Sequence, residues 1–395
     1  EHDRHIAVIG ATGSGKSTLL YNYALQVLLR NESLIVIDPH GDLALDLLDT
    51  IPKNRTNKTV YLDPTAPDRI VGFNPFSRVE EIDRARITAH MISAMKHIWR
   101  HSWGPRLEHF LGHAIHLTLA TERPTLLTLG RALTSEAYRA QAIPRLTDPA
   151  AIQFWLEEYA NYPERYNLEA IGPVLNKVGA YLQSRDLRAV VGQEFPRFSL
   201  RDSINLRHAV LVNLNRPLLG EEPANILGGT LLANVFSVIS ERARIPPNER
   251  APVTLVVDEF QTIGSDAFRT MLTEARKFGL RLVLATQSLE SLDHDFRSTI
   301  LTNCGTIVAF RLSPPDARHL APLMRVEPED LCDSAPFTAY GFRSFHRFTA
   351  PMTLYDKQPL HQGRRDTVSR LSAQRFGLPR PAVERRIAAI LKPLK

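Results

Sequence analysis

Residues 10–17 carry the most specific chemical pattern in the chain. They read Gly-Ala-Thr-Gly-Ser-Gly-Lys-Ser, which fits the Walker A pattern G-x-x-x-x-G-K-[ST] at every position. Glycines let the backbone N–H groups turn toward a phosphate, and the helix that follows presents its positive end to the same charge. In this pattern Lys16 reaches the β- and γ-phosphates and Ser17 is a ligand of Mg²⁺. The residues expected to bind the nucleotide are Gly10, Ala11, Thr12, Gly13, Ser14, Gly15, Lys16, Ser17 and Thr18.

Two adjacent carboxylates follow a second apolar run, in the manner of a Walker B strand. Residues 253–257 read Val-Thr-Leu-Val-Val and are followed by Asp258 and Glu259. Neighbouring residues of a strand point to opposite sides, so Asp258 can hold Mg²⁺ while Glu259 turns toward the γ-phosphate and polarises a water molecule. An isolated strand ending in Asp-Glu is weak evidence. Together with the phosphate loop it predicts ATP hydrolysis, with ATP and Mg²⁺ as cofactors.

Further polar residues accompany the later strands. Gln287 follows the apolar run at 282–286, where its amide can hydrogen-bond the attacking water or the γ-phosphate. Arg276 and Arg281 lie between the Asp-Glu pair and that run, at the surface by pattern, and we expect Arg276 to act on the γ-phosphate of a neighbouring subunit. The alternative for both arginines is a solvated helix end that complements the helix dipole. Arg311, after the run at 306–310, is a further sensor or an edge residue.

A third strand end carries polar residues as well. The apolar run at 34–37 ends in Asp38, followed by Pro39, His40, Gly41 and Asp42. Ligands bind at such strand ends in open α/β sheets, so Asp38, His40 and Asp42 are candidates for the neighbourhood of the nucleotide. An Asx turn with a surface histidine explains the same residues.

These motifs require an α/β fold with a mostly parallel sheet. Continuous apolar runs alternate with helical patterns before residue 77 and after residue 201, which is typical of parallel strands buried on both faces. Residues 77–201 show only helical spacing, and a stretch of that length is too long for a loop. We therefore predict a nucleotide-binding domain at 1–76 and 202–360, an all-helical insertion at 77–201 and a basic C-terminal segment at 361–395.

Composition limits the alternatives. Of 395 residues, 44% are hydrophobic and 23% charged, which is ordinary for a globular protein. The two cysteines, Cys304 and Cys332, have no metal-binding spacing and exclude a disulfide framework, which favours the cytoplasm. The sequence contains no run of 18 apolar residues, so we predict no membrane segment within this chain. The first residue is not Met, so we expect a further N-terminal part, which could tether the protein to the inner membrane.

The net charge of +6 is distributed unevenly. Residues 361–395 contain nine Lys/Arg and two acidic residues, so this segment alone carries a net charge of +7. It can be an arm that binds phosphates or a solvated tail, and the sequence does not separate the two.

The order of these motifs resembles that of the HerA/FtsK superfamily of DNA-pumping ATPases. The similarity is greatest to the coupling-protein ATPases of conjugation and type IV secretion and to bacterial HerA-like relatives. The elements that carry the resemblance are the phosphate loop, Asp38–Asp42, the helical insertion, Asp258–Phe260, Gln287 and Asn303–Gly305. It implies a RecA-like core of the additional-strand class and a homo-hexameric ring that moves DNA. The transmembrane helices of the coupling proteins have no counterpart in this sequence, which leaves a membrane role open.

The resulting hypothesis is an ATP-driven DNA translocase that contacts the DNA backbone with little sequence specificity. A relaxase, a nuclease or a secretion channel is the expected partner. One alternative is a secretion ATPase that moves protein substrates. Another is a nucleotide-gated assembly module that acts as a switch for a partner nuclease or relaxase.

Overall fold

A computed structural model describes residues 4–343, 346–353 and 363–392 of the chain. The chain divides into two compact units. Unit 1 comprises Glu1–Leu62, Leu200–Asn215 and Val238–Ser372. Unit 2 comprises Asp63–Ser199, Arg216–Ser237 and Ala373–Lys395. Residues 63–76 and 216–237, which the sequence analysis placed in the nucleotide-binding domain, thus group with the helical insertion, as do the last residues of the basic segment.

The strands of the described residues are β1 His5–Ile9, β2 Ser33–Asp38, β3 Thr59–Leu62, β4 Arg69–Val71, β5 Ala209–Asn213, β6 Val253–Val257, β7 Leu280–Thr286, β8 Cys304–Ala309, β9 Thr338–Arg343, β10 His346–Thr353 and β11 Gly377–Pro379. The α-helices are α1 Lys16–Leu29, α2 Asp42–Thr50, α3 Arg84–Ile98, α4 Pro105–Leu119, α5 Leu129–Thr134, α6 Glu136–Ala142, α7 Pro149–Gln153, α8 Glu164–Gln183, α9 Arg185–Val191, α10 Leu200–Asn205, α11 Arg216–Leu219, α12 Glu221–Glu241, α13 Ser265–Glu274, α14 His294–Asn303, α15 Pro314–Met324, α16 Pro328–Cys332, α17 Arg365–Phe376 and α18 Arg380–Leu391.

Unit 1 is built on a nine-stranded sheet in the order β10-β9-β8-β1-β7-β6-β2-β5-β3. Neighbouring strands from β8 to β3 are parallel, and β9 and β10 add an antiparallel hairpin at one side. All residues of β2, β5, β6 and β7 are buried, as expected of apolar strands that are covered on both faces. The predicted mostly parallel α/β sheet is confirmed.

Two edges of this sheet matter for function. The parallel strands begin at what we call the amino edge and end at the carboxyl edge. The register pairs Ile9 of β1 with Thr286 of β7, and Ile37 of β2 with Val257 of β6, so these four strands end side by side. Helices α1 and α2 pack against the strands through a core that includes Leu20, Val36 and Leu47 and holds the carboxyl edge in place.

Unit 2 is mainly helical and includes the predicted insertion. Helix α4 packs against α3 and α8. Its core contains a cluster of buried aromatic rings that includes Phe110, Phe154 and Tyr159, with Trp155 only 2% exposed. Its only strands among the described residues are β4 and β11, which pair antiparallel.

The basic C-terminal segment is folded over its described residues, 363–392. Val368 belongs to the core of unit 1, and the backbone N–H of Arg364 donates to Asp49 over 2.7 Å. In unit 2, Arg380 is 8% exposed and lies 2.7 Å from the carboxylate of Asp186. The solvated tail is therefore wrong for this part of the chain. The apolar residues of this segment occur at helical spacing, which indicates packed helices, but the excess of arginine suggested solvent exposure instead.

One helical stretch of the described residues is long and apolar enough to span a membrane. It is Glu221–Arg244, and 78% of its most apolar window is buried inside the protein. In unit 2, Thr230 of this stretch lies 3.0 Å from the hydroxyl of Tyr181. Packing within the protein accounts for its apolar composition.

Candidate nucleotide-binding site

The phosphate loop joins β1 to α1, as the sequence predicts. Gly15 has a φ of 121°, which side chains rarely allow, and immediately precedes α1. A Cβ atom on Gly10 would lie 2.6 Å from the Cβ of Phe310, so only glycine fits there. The loop is thereby drawn tightly onto the end of the sheet, where the N-terminal N–H groups of α1 lack helical partners and can bind an anion.

Lys16 lies over this loop rather than in solvent. It is 6% exposed, and its ammonium donates to the carbonyl oxygens of Gly10 at 2.6 Å and Ala11 at 3.2 Å. Burial lowers the pKa of Lys16, while the charges of Glu259 and Asp258 raise it. The ammonium is therefore within electrostatic reach of both carboxylates. Its neighbour Ser17 is exposed at the first turn of α1.

Asp258 lies directly after β6 and is 7% exposed. Burial first, and then the nearby carboxylates of Asp38 and Glu259, raise its pKa to about 6. Crowded, buried carboxylates are stabilised by a cation, and Mg²⁺ prefers oxygen ligands. Among the described residues no group of three or more His, Cys, Asp or Glu side chains is placed to hold a metal. NTPases bind Mg²⁺ through one or two protein ligands together with substrate phosphates.

Glu259 has an unusual backbone conformation. Its φ of 44° and ψ of 47° are left-handed, which is uncommon outside glycine and is found at functional sites. The side chain is 6% exposed and accepts a hydrogen bond of 2.6 Å from the amide of Gln261. Sequence reasoning gave no role to Gln261. Its position two residues after the Asp-Glu pair, in the turn that follows β6, was the available signal.

Gln287 lies at the same edge. It is exposed and follows β7, which is hydrogen-bonded to β1, and the N–H of Gly10 donates to the carbonyl of Thr286 over 3.2 Å. The chain thus enters the phosphate loop beside Gln287. The structure brings the phosphate loop, Lys16, the two acidic residues and Gln287 to the carboxyl edge.

Arg276 does not lie at this edge. It is exposed in the 3-10 turn Ala275–Phe278, before β7 begins. Its charge contributes to lowering the pKa of His5, at the start of β1, to about 4, second to the burial of that imidazole. With a rise of about 3.3 Å per residue along β7, Arg276 is about 20 Å from the carboxyl edge of its own subunit. It is therefore too far away to contact phosphates held by the loop of its own subunit.

Arg281 is buried, and the expectation that it lies at the surface is wrong. It is 4% exposed, within β7, and its guanidinium lies 3.8 Å from Glu32. Arg281 is buried because β7 is covered on both faces. The helical pattern of the residues before β7 gave no indication of this burial.

Asp38 serves first as a turn residue. It is 1% exposed and accepts hydrogen bonds of 3.0 Å from the N–H groups of His40 and Ala44, which anchors the start of α2. Both His40 and Asp42 are exposed. The Asx-turn interpretation therefore describes the local geometry, while the carboxylate also raises the pKa of neighbouring Asp258. Arg311 is exposed, and its carbonyl accepts from the N–H of Ala11 over 2.8 Å, so its backbone supports the loop.

Solved structures share this fold. The bacterial conjugative coupling protein TrwBdeltaN70, in an unbound form, is 18% identical with a TM-score of 0.68, over 89% of this chain and 84% of that chain. TrwB in complex with ADP and Mg²⁺ is 20% identical with a TM-score of 0.68, over 89% and 86%. VirB4 of Thermoanaerobacter pseudethanolicus is 12% identical with a TM-score of 0.62, over 90% and 91%. No curated protein sequence matches the chain.

A family model extends this likeness from fold to sequence. The model describes the type IV secretion-system coupling protein DNA-binding domain and matches residues 1–324, most of the chain. The predicted resemblance and the predicted P-loop ATPase fold with a helical domain are confirmed. The chain belongs to the family of type IV secretion-system coupling proteins.

Proposed function

We propose that this protein hydrolyses ATP and uses the energy to move DNA. The observation that carries the proposal is the convergence of the phosphate loop, Lys16, Asp258, Glu259 and Gln287 at one edge of one sheet. Family membership supports DNA as the substrate, because the matching family model describes a DNA-binding domain.

Binding is the task of the phosphate loop and α1. The loop N–H groups and the Lys16 ammonium hold the β- and γ-phosphates. Their positive charge offsets the repulsion between these phosphates and the nearby carboxylates of Asp258 and Glu259. Ser17 and Asp258 would hold Mg²⁺. When bound, that ion neutralises charge on the two phosphates. In solved structures TrwB is in complex with ADP and Mg²⁺, and also with a non-hydrolysable ATP analogue.

Glu259 is the proposed general base. It accepts a proton from a water molecule as the water oxygen bonds to the γ-phosphorus and the bond to the ADP oxygen breaks. The 2.6 Å hydrogen bond from Gln261 holds the carboxylate in one orientation. Gln287, at the end of the adjacent strand, is placed to hydrogen-bond the water or the γ-phosphate and so to report hydrolysis to β7.

Arg276 completes the site of another subunit. Because it is exposed at the amino edge, a head-to-tail contact can bring it to the carboxyl edge of a second copy. Repeated contacts of this kind close into a ring, and we propose a homo-hexamer. Its guanidinium then stabilises charge on the transferred phosphoryl group.

The DNA is proposed to be held by its backbone, with little sequence specificity, because a motor must run along any sequence. We assign the motor to the sheet of unit 1 and selection of the DNA substrate to the helical insertion. A relaxase, a nuclease or a secretion channel is the proposed partner, and the cytoplasm the proposed location.

The test is the ATPase rate of the full chain without DNA, with single-stranded DNA and with double-stranded DNA. Lys16→Ala, which removes the charge on the β- and γ-phosphates, is the control for contaminating ATPases. Strong stimulation by either DNA supports the motor. Hydrolysis that DNA leaves unchanged would favour a protein-moving ATPase or a nucleotide-gated switch instead.

A further inference from the structure

Phe337 is an exposed aromatic residue in a conformation that disfavours it. Its side chain is 46% exposed and its φ is 61°. It occupies the third position of a tight turn that starts at Ala335, in which the N–H of Thr338 donates to the carbonyl of Ala335 over 3.1 Å. With Pro336 second and a positive φ third, the turn resembles type II, whose third residue is usually Gly or Asn. A bulky ring at such a position is an outlier and points to a function.

This turn is attached to the phosphate loop. The N–H of Phe337 donates to the carbonyl of Ser14 over 2.8 Å. A Cβ atom on Gly15 would lie 3.1 Å from the Cα of Phe337 and 3.3 Å from its ring. Phe310, the other ring beside Gly15, is fully buried and fills the core. The ring of Phe337 is therefore fixed beside the loop but left open to solvent.

The order of the strands indicates which part of a nucleotide reaches this ring. The catalytic carboxylates follow β6, on the β7 side of β1, and Lys16 interacts electrostatically with both of them. The γ-phosphate must therefore lie on that side. Because the triphosphate is a linear chain, its nucleoside end leaves the loop on the other side, toward β8 and β9. Phe337 immediately precedes β9 and touches the loop there.

We propose that Phe337 is the platform on which the base of the bound nucleotide stacks. The inference rests on the proposed function, because it assumes that the phosphate loop holds a nucleoside triphosphate. Stacking on an aromatic ring is tolerant of the base, since every base has a π-face. Phe337 therefore strengthens binding of ATP and GTP alike and gives little selectivity between them.

The test is Phe337→Gly in the full chain, with calorimetric titration by ATP, by GTP and by inorganic tripolyphosphate, all with Mg²⁺. Glycine adopts a positive φ readily, so this change keeps the turn and its hydrogen bond to Ser14 while removing the ring. We expect the affinity for ATP and GTP to fall about tenfold and that for tripolyphosphate to stay unchanged. Phe337→Tyr keeps an aromatic face and should bind ATP as the wild type does.

The matched control is Phe195→Gly, which removes an exposed phenylalanine of unit 2 that is 64% exposed. It should change none of the three affinities. Wild-type ATP affinity in Phe337→Gly, or an equal loss for tripolyphosphate, would overturn the platform. If the wild type binds neither ATP nor tripolyphosphate, or if Lys16→Ala binds both as well as the wild type, the proposed function itself fails. The two failures are thus distinguished in one set of titrations.

Discussion

The two edges of the sheet in unit 1 differ in charge and in completeness. At the carboxyl edge, the buried ammonium of Lys16 interacts electrostatically with the carboxylates of Asp258 and Glu259, so this edge carries charges of both signs. The amino edge carries a cleft of about 250 Å³ whose charged lining residues are all cations. These cations are Arg250, Arg276, Lys277 and Arg281, and we call the cleft the amino-edge cleft.

The difference indicates how the work of the site is divided. The carboxyl edge has the groups that we propose bind the phosphates and activate water, whereas Arg276, which we propose acts on the γ-phosphate, lies at the amino edge. The amino-edge cleft has cations in excess, which an anion would stabilise. In the proposed ring, the carboxyl edge of one subunit meets the amino edge of the next, and each edge supplies what the other lacks. The following predictions test that division, from the largest expected effect to the smallest.

Arg276→Ala should reduce the ATPase rate of the assembled protein about 10³-fold or more, because arginines that stabilise the phosphoryl group in trans contribute that much. The affinity of each subunit for ATP should change little, since Arg276 is about 20 Å from its own site. Steady-state kinetics and nucleotide titration measure the two effects. Lys277→Ala, the adjacent exposed cation, is the matched control. If it is as damaging as Arg276→Ala, the assignment to Arg276 is wrong.

Glu259→Gln should reduce the rate about 10²-fold to 10⁴-fold while nucleotide binding stays nearly intact, because only the proton acceptor is lost. Single-turnover hydrolysis and titration with ATP are the measurements. Glu122→Gln changes an exposed glutamate of unit 2 in the same way and should be silent. Hydrolysis at the wild-type rate in Glu259→Gln would remove this residue from the role of base.

Arg250→Ala should reduce the rate of the assembled protein about tenfold through a loss of positioning. Arg250 donates to the carbonyls of Ile245, over 2.8 Å, and Lys277, and its guanidinium lies 5.6 Å from the centre of the Phe278 ring. These contacts hold the turn that carries Arg276, and a misplaced catalytic group costs rate. The rate should stay low when ATP is saturating, and ATP affinity should be unchanged. A rise in KM with a normal kcat would argue against this role.

Asp258→Asn should stabilise the nucleotide-free protein at pH 8, by about 1 to 3 kcal/mol. Burial, together with the neighbouring carboxylates, raises the pKa of Asp258 from 3.8 to about 6, so the folded protein binds this proton more tightly than the unfolded chain does. The ionised carboxylate therefore costs stability above pH 6, and that cost disappears as the pH falls toward 4. Thermal unfolding at pH 8 and at pH 4 should show a gain that is large at the higher pH and small at the lower.

The exposed Asp68→Asn is the control for this comparison and should give no such dependence on pH. A loss of stability in Asp258→Asn at pH 8 would contradict the account of the carboxyl edge, because it would mean that the ionised carboxylate is stabilised without Mg²⁺.

The carboxyl edge could be predicted from sequence because its signals are local. The glycines of the phosphate loop, the apolar strands and the residues that follow them are adjacent in the chain, and parallel strands bring their ends together. The family, the α/β fold and the helical insertion followed from the order of these motifs and are confirmed.

Features that depend on distant contacts could not be predicted. Phe337 reaches Ser14 only because the β9–β10 hairpin joins the sheet beside β8, and nothing near Phe337 in the sequence shows this. Val368 lies in a segment whose arginines suggested solvent exposure, yet it packs into the core of unit 1. The burial of Arg281 likewise depends on β7 having neighbours on both sides.

Mixing two inactive variants tests the division between the edges most directly. Arg276→Ala keeps an intact carboxyl edge, and Glu259→Gln keeps an intact amino-edge cleft. In mixed rings an intact Arg276 faces an intact Glu259 at some interfaces, so the account predicts ATPase activity that neither variant has alone. That activity should rise with protein concentration and peak near equal amounts of the two. If the mixture stays as inactive as its components although mixed rings form, the two edges do not complete one site.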